Sequence, residues 1–136
     1  WRRIYISVLG RTPIQEHFED LIALLPQLRK NEKMSIFWSL MNNPIFQEKT
    51  WNTFQDKYDA FSKQIPQGSL AYAPYLPTSF CDLRRTEEVQ TFFKDKIQKL
   101  PGAPRNLKKA LENIRTCHGL KEKTGPAIRS FFGVAP

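Results

Sequence analysis

The chain has 136 residues, of which 40% are hydrophobic and 25% are charged, and its formal net charge is +8. This length and composition are typical of one folded domain with a buried core, which excludes a disordered chain. No run of eighteen apolar residues occurs in the sequence. We therefore expect a single domain over residues 1–136 with no membrane partner.

The opening residues fit two structures, and the sequence does not choose between them. Residues 1–11 mix apolar and basic side chains, as an extended tail or the end of a helix would. Trp1 stands where an initiator methionine would be, and no signal-peptide cleavage pattern follows it. We therefore expect a cut into a longer chain, with residues 1–12 a lead-in or a tail of the domain.

Three helices are predicted in the first half of the chain. Thr12 is predicted to cap the first, with Pro13 in its first position, and Asn31 to cap the second. The third is predicted to begin at Pro44, to end before Pro66 and to be the longest helix of the chain. Apolar residues at helical spacing predict three inward faces: Ile14, Phe18, Leu21, Ile22 and Leu25; then Met34, Phe37, Trp38 and Met41; then Trp51, Phe54, Tyr58, Phe61 and Ile65.

The second half is predicted to hold short turns, a helical hairpin and a last short helix. Prolines break residues 69–83, so only short helical turns are expected there. The hairpin consists of helices over residues 86–100 and 105–120, separated by a break at Pro101-Gly102. The last short helix is expected to begin with Thr124 as its N-cap. Its inward face is expected to carry Ile128, Phe131 and Phe132.

These elements predict an all-α fold built from antiparallel helix pairs with short connections. The pairs fit either a bundle or a fragment of a HEAT/armadillo-like α-α superhelix. No clean sequence repeat supports the superhelix directly.

The positive charge is concentrated in the second part of the chain. Residues 1–83 carry nine Lys/Arg against eight Asp/Glu (+1), and residues 84–136 carry twelve against five (+7). Such a patch attracts phosphate, anionic lipid or a carboxylate, although solvated lysines on outer helix faces give the same composition. A nucleic-acid partner is not favoured, because no helix-turn-helix, zinc-finger or aromatic RNA-stacking pattern appears.

Catalytic and metal-binding motifs are missing from the sequence. It has two histidines, His17 and His118, and no H-E-x-x-H pair, C-x-x-C pair or glycine-rich phosphate loop. We therefore expect no catalytic residue and no metal ligand in this chain. Cys81 and Cys117 allow one disulfide or none, and we expect two separate buried thiols. We also expect a cytoplasmic location, where thiols stay reduced.

Several features follow one another in a fixed order. Trp51 opens a helix that carries the pair Tyr58-Asp59, and a break at residues 66–68 follows it. A Phe-Cys step at residues 80–81 leads to V-x-x-F-F at 89–93, and R-x-L-x-x-x-L-E-x-I runs over 105–114. In this order, over roughly residues 20–132, the chain resembles the C-terminal helical domain of aminopeptidase-N-like zinc aminopeptidases, bacterial members most closely.

The resemblance implies a non-catalytic domain of a larger enzyme. Enzymes of this type remove N-terminal residues from peptides, with zinc held by H-E-x-x-H and a downstream Glu on a separate thermolysin-like domain. The helical domain would enclose the peptide chamber and gate access to the zinc. Its partners would be that catalytic domain of the same polypeptide and the peptide substrate, and zinc would be a cofactor of the parent enzyme and not of this chain.

Two other functions stay open. One is a free-standing helical adaptor that binds partner helices, and the other is a basic nucleic-acid-binding module. For the peptide chamber, arginines at helix entrances are candidates because guanidinium binds a carboxylate through two parallel hydrogen bonds. The candidate cavity-lining residues, with two tyrosines from the irregular segment, are Arg84, Arg85, Arg105, Tyr72 and Tyr75. The alternatives are tyrosines packed under a loop and an ion pair of Arg105 with Glu112 or Asp82.

Overall fold

The computed structural model describes the backbone of residues 2–133 and the side chains of residues 4–133. All regular structure in this part of the chain is helical, which confirms the predicted all-α fold. The α-helices are α1 (Arg2–Leu9), α2 (Gln15–Ala23), α3 (Lys30–Met41), α4 (Gln47–Ser62), α5 (Gln67–Leu70), α6 (Arg85–Phe93) and α7 (Ala103–Phe131). Two 3₁₀ segments, Leu25–Gln27 and Ala73–Phe80, complete the set. Trp1 lies outside the described residues.

The opening segment is a helix, which resolves the two structures that the sequence left open. Helix α1 packs against α3 and buries Ile6. Ser39 on α3 donates a hydrogen bond to the Ser7 carbonyl at 2.9 Å. Gly10 then passes so close to α3 that a Cβ atom would lie 2.0 Å from the Ser39 hydroxyl oxygen. Only glycine allows this approach, and Asn43 fixes it by donating to the Gly10 carbonyl at 3.0 Å.

Two of the predicted helix caps are wrong. Helix α2 has Ile14 as its N-cap, and the Thr12 hydroxyl instead accepts a hydrogen bond from the Ile14 backbone N–H at 3.3 Å. Helix α3 has Arg29 as its N-cap, one position before its first residue and two before Asn31. The Glu32 carboxylate accepts from the Arg29 backbone N–H at 3.1 Å. A carboxylate that reaches back to the N-cap therefore fixes this helix start.

The core is an aromatic cluster carried mainly by α4 and α6. Trp51 and Phe54 are completely buried, with ring centroids 5.8 Å apart. The Trp51 ring contacts Phe92 at 5.5 Å, and Phe54 contacts Phe37 of α3 at 5.2 Å. Every residue predicted for the inward face of the third helix is buried. Burial of each such side chain stabilises the fold by about 1.5–3 kcal/mol, so this face holds α3, α4 and α6 together.

Helix α6 is shorter than predicted. It ends at Phe93, and residues 94–102 form turns that bury Ile97 before α7 begins. Gly102 has a φ of +80° immediately before the first residue of α7. A residue with a side chain is strained in this left-handed conformation, so the glycine allows the chain to reverse between α6 and α7.

Helix α7 is the longest described helix, at 29 residues, against 16 for α4. The predicted break before Thr124 is wrong, because the helix continues through Pro126. The predicted inward positions are also wrong: Ile128 is 55% exposed, Phe131 84% and Phe132 71%. No other described element covers this end of the helix. Despite its length, neither α7 nor another described helix is apolar enough to cross a membrane.

The two cysteines form a disulfide, so the prediction of separate thiols is wrong. Cys81 and Cys117 are 36 positions apart in sequence, with Cα atoms 5.3 Å apart. Cys81 ends the second 3₁₀ segment in a left-handed conformation with a φ of +52°. The bond ties that segment to the middle of α7, which packs along it.

Candidate functional site

A groove of about 460 Å³ lies between the first turns of α7 and the chain that joins α5 to the second 3₁₀ segment. We call it the tyrosine groove. Its lining consists of small residues, two aromatic rings, one amide and two cations: Gly68, Ala71, Tyr72, Tyr75, Pro101, Gly102, Arg105, Asn106 and Lys109. Three of the five predicted site residues therefore lie together in one cavity.

The two tyrosines form one wall of the tyrosine groove. Their ring centroids are 6.3 Å apart and their planes differ by 26°, so the rings are stacked. The Tyr75 backbone N–H donates to the Tyr72 carbonyl at 3.0 Å, a turn that places both side chains on the same side. Tyr72 is 57% exposed, which argues against the alternative that it only packs under a loop.

Two cations of α7 line the same groove. Arg105 and Lys109 are four residues apart, so they lie on one face of the helix. Within residues 4–133, neither forms an ion pair, and no Asp or Glu lines the groove. The alternative ion pair of Arg105 with Glu112 or Asp82 is therefore not observed. The groove carries positive charge that no neighbouring carboxylate offsets.

Asn106 holds the two sides of the groove together. Its side-chain amide donates a hydrogen bond to the Ala71 carbonyl at 2.9 Å. This bond connects the first turn of α7 to the C-terminal end of α5, at residues 35 positions apart. The hydrogen bond between Asn106 and Ala71 therefore holds the two walls of the groove together, and it uses neither the cations nor the tyrosine side chains.

Arg84 lies elsewhere and already has a carboxylate partner. Its Nε donates to both oxygens of Asp82 at 3.1 Å, and its Nη2 donates to Oδ2 at 2.8 Å. These hydrogen bonds lower the pKa of Asp82 to about 2. The Arg84 side chain is 90% exposed, so the pair lies at the surface.

Arg85 also lies outside the tyrosine groove, in a network that joins α4 to α6. It forms ion pairs with Glu48 of α4 and, at 2.9 Å, with Glu88 of α6. The Trp51 indole N–H donates to Glu88 at 2.6 Å. Burial opposes the charge of Glu88, but hydrogen bonds from Arg85 and Trp51 lower the pKa of its carboxyl overall. Arg85 stacks on the Phe80 ring at 4.5 Å and therefore has a structural role.

The described residues hold no candidate site for a metal ion. Over the described residues, no group of three or more His, Cys, Asp or Glu side chains is placed to hold a metal ion. His17 bonds to the Thr12 hydroxyl at 2.9 Å, and His118 lines a separate cavity beside the disulfide.

Asn106 and Lys109 of the groove were not among the predicted cavity-lining residues. The four-residue step from Arg105 to Lys109 was a usable signal that these two side chains share a helical face. Residues 68–75 and 101–109 are far apart along the chain, and nothing in the sequence of either segment indicates that the two meet.

The described residues form a helical, all-α domain with a basic, aromatic-lined groove. The family is given by comparison with known proteins: the model of the ERAP1-like C-terminal domain family matches residues 2–116, and the chain belongs to this family. The match includes the whole tyrosine groove, and it confirms the resemblance to the C-terminal helical domain of aminopeptidase-N-like enzymes. No curated protein sequence and no solved structure matches the chain.

Proposed function

We propose that this chain is the non-catalytic C-terminal domain of a zinc aminopeptidase and that it encloses the chamber in which the peptide is bound. The zinc and its ligands would lie on a thermolysin-like domain of the same polypeptide. Closure of the helical domain over that site would exclude water, and opening would exchange substrate for product. The domain would thereby gate access and limit peptide length.

The tyrosine groove carries the proposal. A peptide has a C-terminal carboxylate, an extended backbone and side chains of mixed polarity. Arg105 supplies a planar donor pair for a carboxylate, and Lys109 adds a second positive charge. The stacked rings of Tyr72 and Tyr75 supply apolar surface with polar edges, which suits a peptide chain. The remaining predicted residues, Arg84 and Arg85, carry carboxylate partners and are weaker candidates for this role.

Peptide binding by the isolated chain tests the role of the groove. We expect a fluorescently labelled decapeptide with a free C-terminus to bind more tightly than the same peptide with an amidated C-terminus. Arg105→Ala should weaken binding of the free-carboxylate peptide about tenfold, since a hydrogen bond to a charged group contributes about 1.5–3 kcal/mol. It should leave the amidated peptide almost unaffected. Fluorescence anisotropy at fixed ionic strength measures both peptides.

Arg84→Ala is the matched control, because it removes an exposed arginine outside the tyrosine groove. Equal losses for Arg84→Ala and Arg105→Ala would show a general charge effect and contradict carboxylate recognition in the groove. Equal affinity of the free and amidated peptides would contradict it as well.

Two further assays separate this function from its alternatives. The purified chain should not hydrolyse an aminoacyl-p-nitroanilide in the presence of zinc, and zinc-dependent turnover would overturn the proposal. Nucleic-acid binding would appear as an affinity for duplex DNA or RNA that falls steeply with salt. A helical adaptor would bind amphipathic helices with no requirement for a free carboxylate.

A further inference from the structure

A second, smaller groove of about 180 Å³ lies where α2, α3 and α4 meet. We call it the lysine groove. Its walls include three apolar side chains, and its polar groups are two ammonium ions and an amide: Ile22, Leu25, Phe61, Lys33, Lys57 and Gln64. None of these residues belongs to the tyrosine groove.

Lys33 is an unusual component of this site because it is a buried cation with a neutral partner. The residue is 5% exposed, and its ammonium group donates to the Gln64 amide oxygen at 2.7 Å. Among the described residues, no carboxylate lies within ion-pair distance of it. Buried lysines are normally paired with an anion, because an ammonium group loses much of its hydration on burial. Lys33 therefore has charge available for a ligand.

Lys57 strengthens the positive field of the lysine groove. It lies on α4, one turn before Phe61, and it too has no ion-pair partner within the described chain. No Asp or Glu lines the groove. Gln64 donates its side-chain N–H to the Ala60 carbonyl at 3.4 Å, which orients its oxygen toward Lys33. The result is an apolar cleft with two positive charges and no anion.

We propose that the lysine groove binds a short apolar carboxylate. The carboxylate accepts hydrogen bonds from Lys33 and Lys57, and the hydrocarbon chain packs between Leu25 and Phe61. The volume of the groove is that of about six water molecules. The groove therefore suits a carboxylate with about six carbon atoms better than a long-chain lipid. Inorganic phosphate or acetate would supply the charge and leave the apolar walls without contact. This site is independent of the proposed role in a peptide chamber.

Titration of the ¹⁵N-labelled chain with hexanoate tests the proposal. We expect saturable shifts of the backbone amide signals of Ile22, Leu25 and Phe61. Acetate lacks the chain and hexanol lacks the charge, so each should bind at least about tenfold more weakly than hexanoate. Hexanol binding as tightly as hexanoate would mark an apolar cleft without carboxylate recognition and overturn the proposal.

Substitution of the lysines assigns the charge. Lys33→Met and Lys57→Met should each weaken hexanoate binding about tenfold. Lys63→Met is the matched control, because Lys63 lies at the end of α4, is exposed and does not line the groove. Lys57 is exposed, so Lys57→Met should fold even if Lys33→Met does not. Unchanged affinity in Lys57→Met, or no saturable shift at tens of millimolar hexanoate, would overturn the site.

Discussion

Tyr58 lies in the aromatic core with a polar group that the core does not satisfy. Its ring centroid is 5.7 Å from that of Phe54 and 5.4 Å from that of Phe92. The residue is 4% exposed, and within the described structure its hydroxyl has no hydrogen-bond partner. Burial accordingly raises the pKa of this phenol above its ordinary value. The hydroxyl lowers stability relative to a phenyl ring at the same place.

Tyr58→Phe is therefore expected to stabilise the protein. The substitution keeps the ring and removes a desolvated hydroxyl, whose burial without a partner costs about 1–3 kcal/mol. We expect the free energy of unfolding in urea to rise by about 1 kcal/mol. Tyr72→Phe is the control, because this ring is 57% exposed and its substitution should change stability very little. A loss of stability in Tyr58→Phe would show that the hydroxyl has a partner.

The pKa of the Asp82 carboxyl is strongly lowered by an arginine at the protein surface. Its side chain accepts from the Arg84 guanidinium and, at 3.0 Å, from the Arg84 backbone N–H. Its folded-state pKa is about 2, below the ordinary value of 3.8. A depressed folded pKa means that the unfolded chain binds the proton first as pH falls. The contribution of Asp82 to stability is therefore present above pH 4 and is lost between about pH 4 and pH 2.

A carboxyl ¹³C titration followed by NMR checks this value. The Asp82 midpoint is expected at about 2 in the wild-type chain. In Arg84→Ala the midpoint should rise toward 3.8, without reaching it, because the backbone hydrogen bond remains. Lys121→Ala serves as the control, since Lys121 lines the adjacent cavity but does not bond to Asp82. An unchanged midpoint in Arg84→Ala would contradict the assigned cause.

The disulfide that joins the second 3₁₀ segment to α7 is expected to have a large effect on the stability of the packing between these two elements. Its two cysteines are 36 positions apart, so the bond removes much of the conformational freedom of the unfolded chain. For a loop of this length the expected stabilisation is about 3–4 kcal/mol. We expect reduction by dithiothreitol to lower the free energy of unfolding in urea by this amount.

The double variant Cys81→Ser, Cys117→Ser controls for the reagent. It should show the same loss as the reduced wild type, and it should not respond to dithiothreitol. A response of the variant to the reagent, or a wild type that keeps its full stability when mass spectrometry shows it reduced, would contradict the expected role of the bond.

The sequence predicted those elements whose signal is local. The spacing of Trp51, Phe54 and Tyr58 defines a helical face within a few turns, and this face is the core of the structure. Helix boundaries depend on competition between neighbouring caps, and α3 begins where Glu32 reaches the Arg29 backbone instead of at Asn31. Thus the faces of the helices were predictable, and several of their ends were not.

Contacts between distant segments escaped prediction for a different reason. The disulfide requires Cys81 and Cys117 to meet, and no feature near either residue encodes that meeting. Likewise, the hydrogen bond from Lys33 to Gln64 joins α3 to the turn that follows α4, and nothing in the sequence near either residue indicates this contact. For the candidate site, Tyr72, Tyr75 and Arg105 were named by residue type, but only the packing of α7 on the second 3₁₀ segment brings them together.

At the scale of the whole molecule, the disulfide bears on the compartment. Disulfides persist in oxidising compartments and are rare in the cytosol, where thiols are kept reduced. The cytoplasmic location stays a prediction, and the Cys81–Cys117 bond weighs against it. The stabilising effect that we expect from this bond would be lost in a reducing compartment.

The excess positive charge of residues 84–136 also has an uneven distribution in space. Arg84 and Arg85 are offset by Asp82, Glu48 and Glu88, whereas Arg105 and Lys109 line a groove without a carboxylate. A net charge counted along the sequence does not distinguish these two situations. The tyrosine groove is therefore one place in this part of the chain where positive charge is available to a ligand.

The proposed role makes its sharpest prediction for the aminopeptidase of which this chain would be the C-terminal domain. Arg105 would lie at a fixed distance from the zinc of the closed enzyme, so it would act only on peptides long enough for the C-terminal carboxylate to reach it. Arg105→Ala should lower kcat/KM about tenfold for such peptides and leave hydrolysis of a short aminoacyl-p-nitroanilide unchanged. A series of peptides of increasing length, each with a free or amidated C-terminus, measures this dependence. Arg84→Ala should leave the length profile as it is. An equal loss at every length in Arg105→Ala, or lost stability with an unchanged profile, would make Arg105 a structural residue.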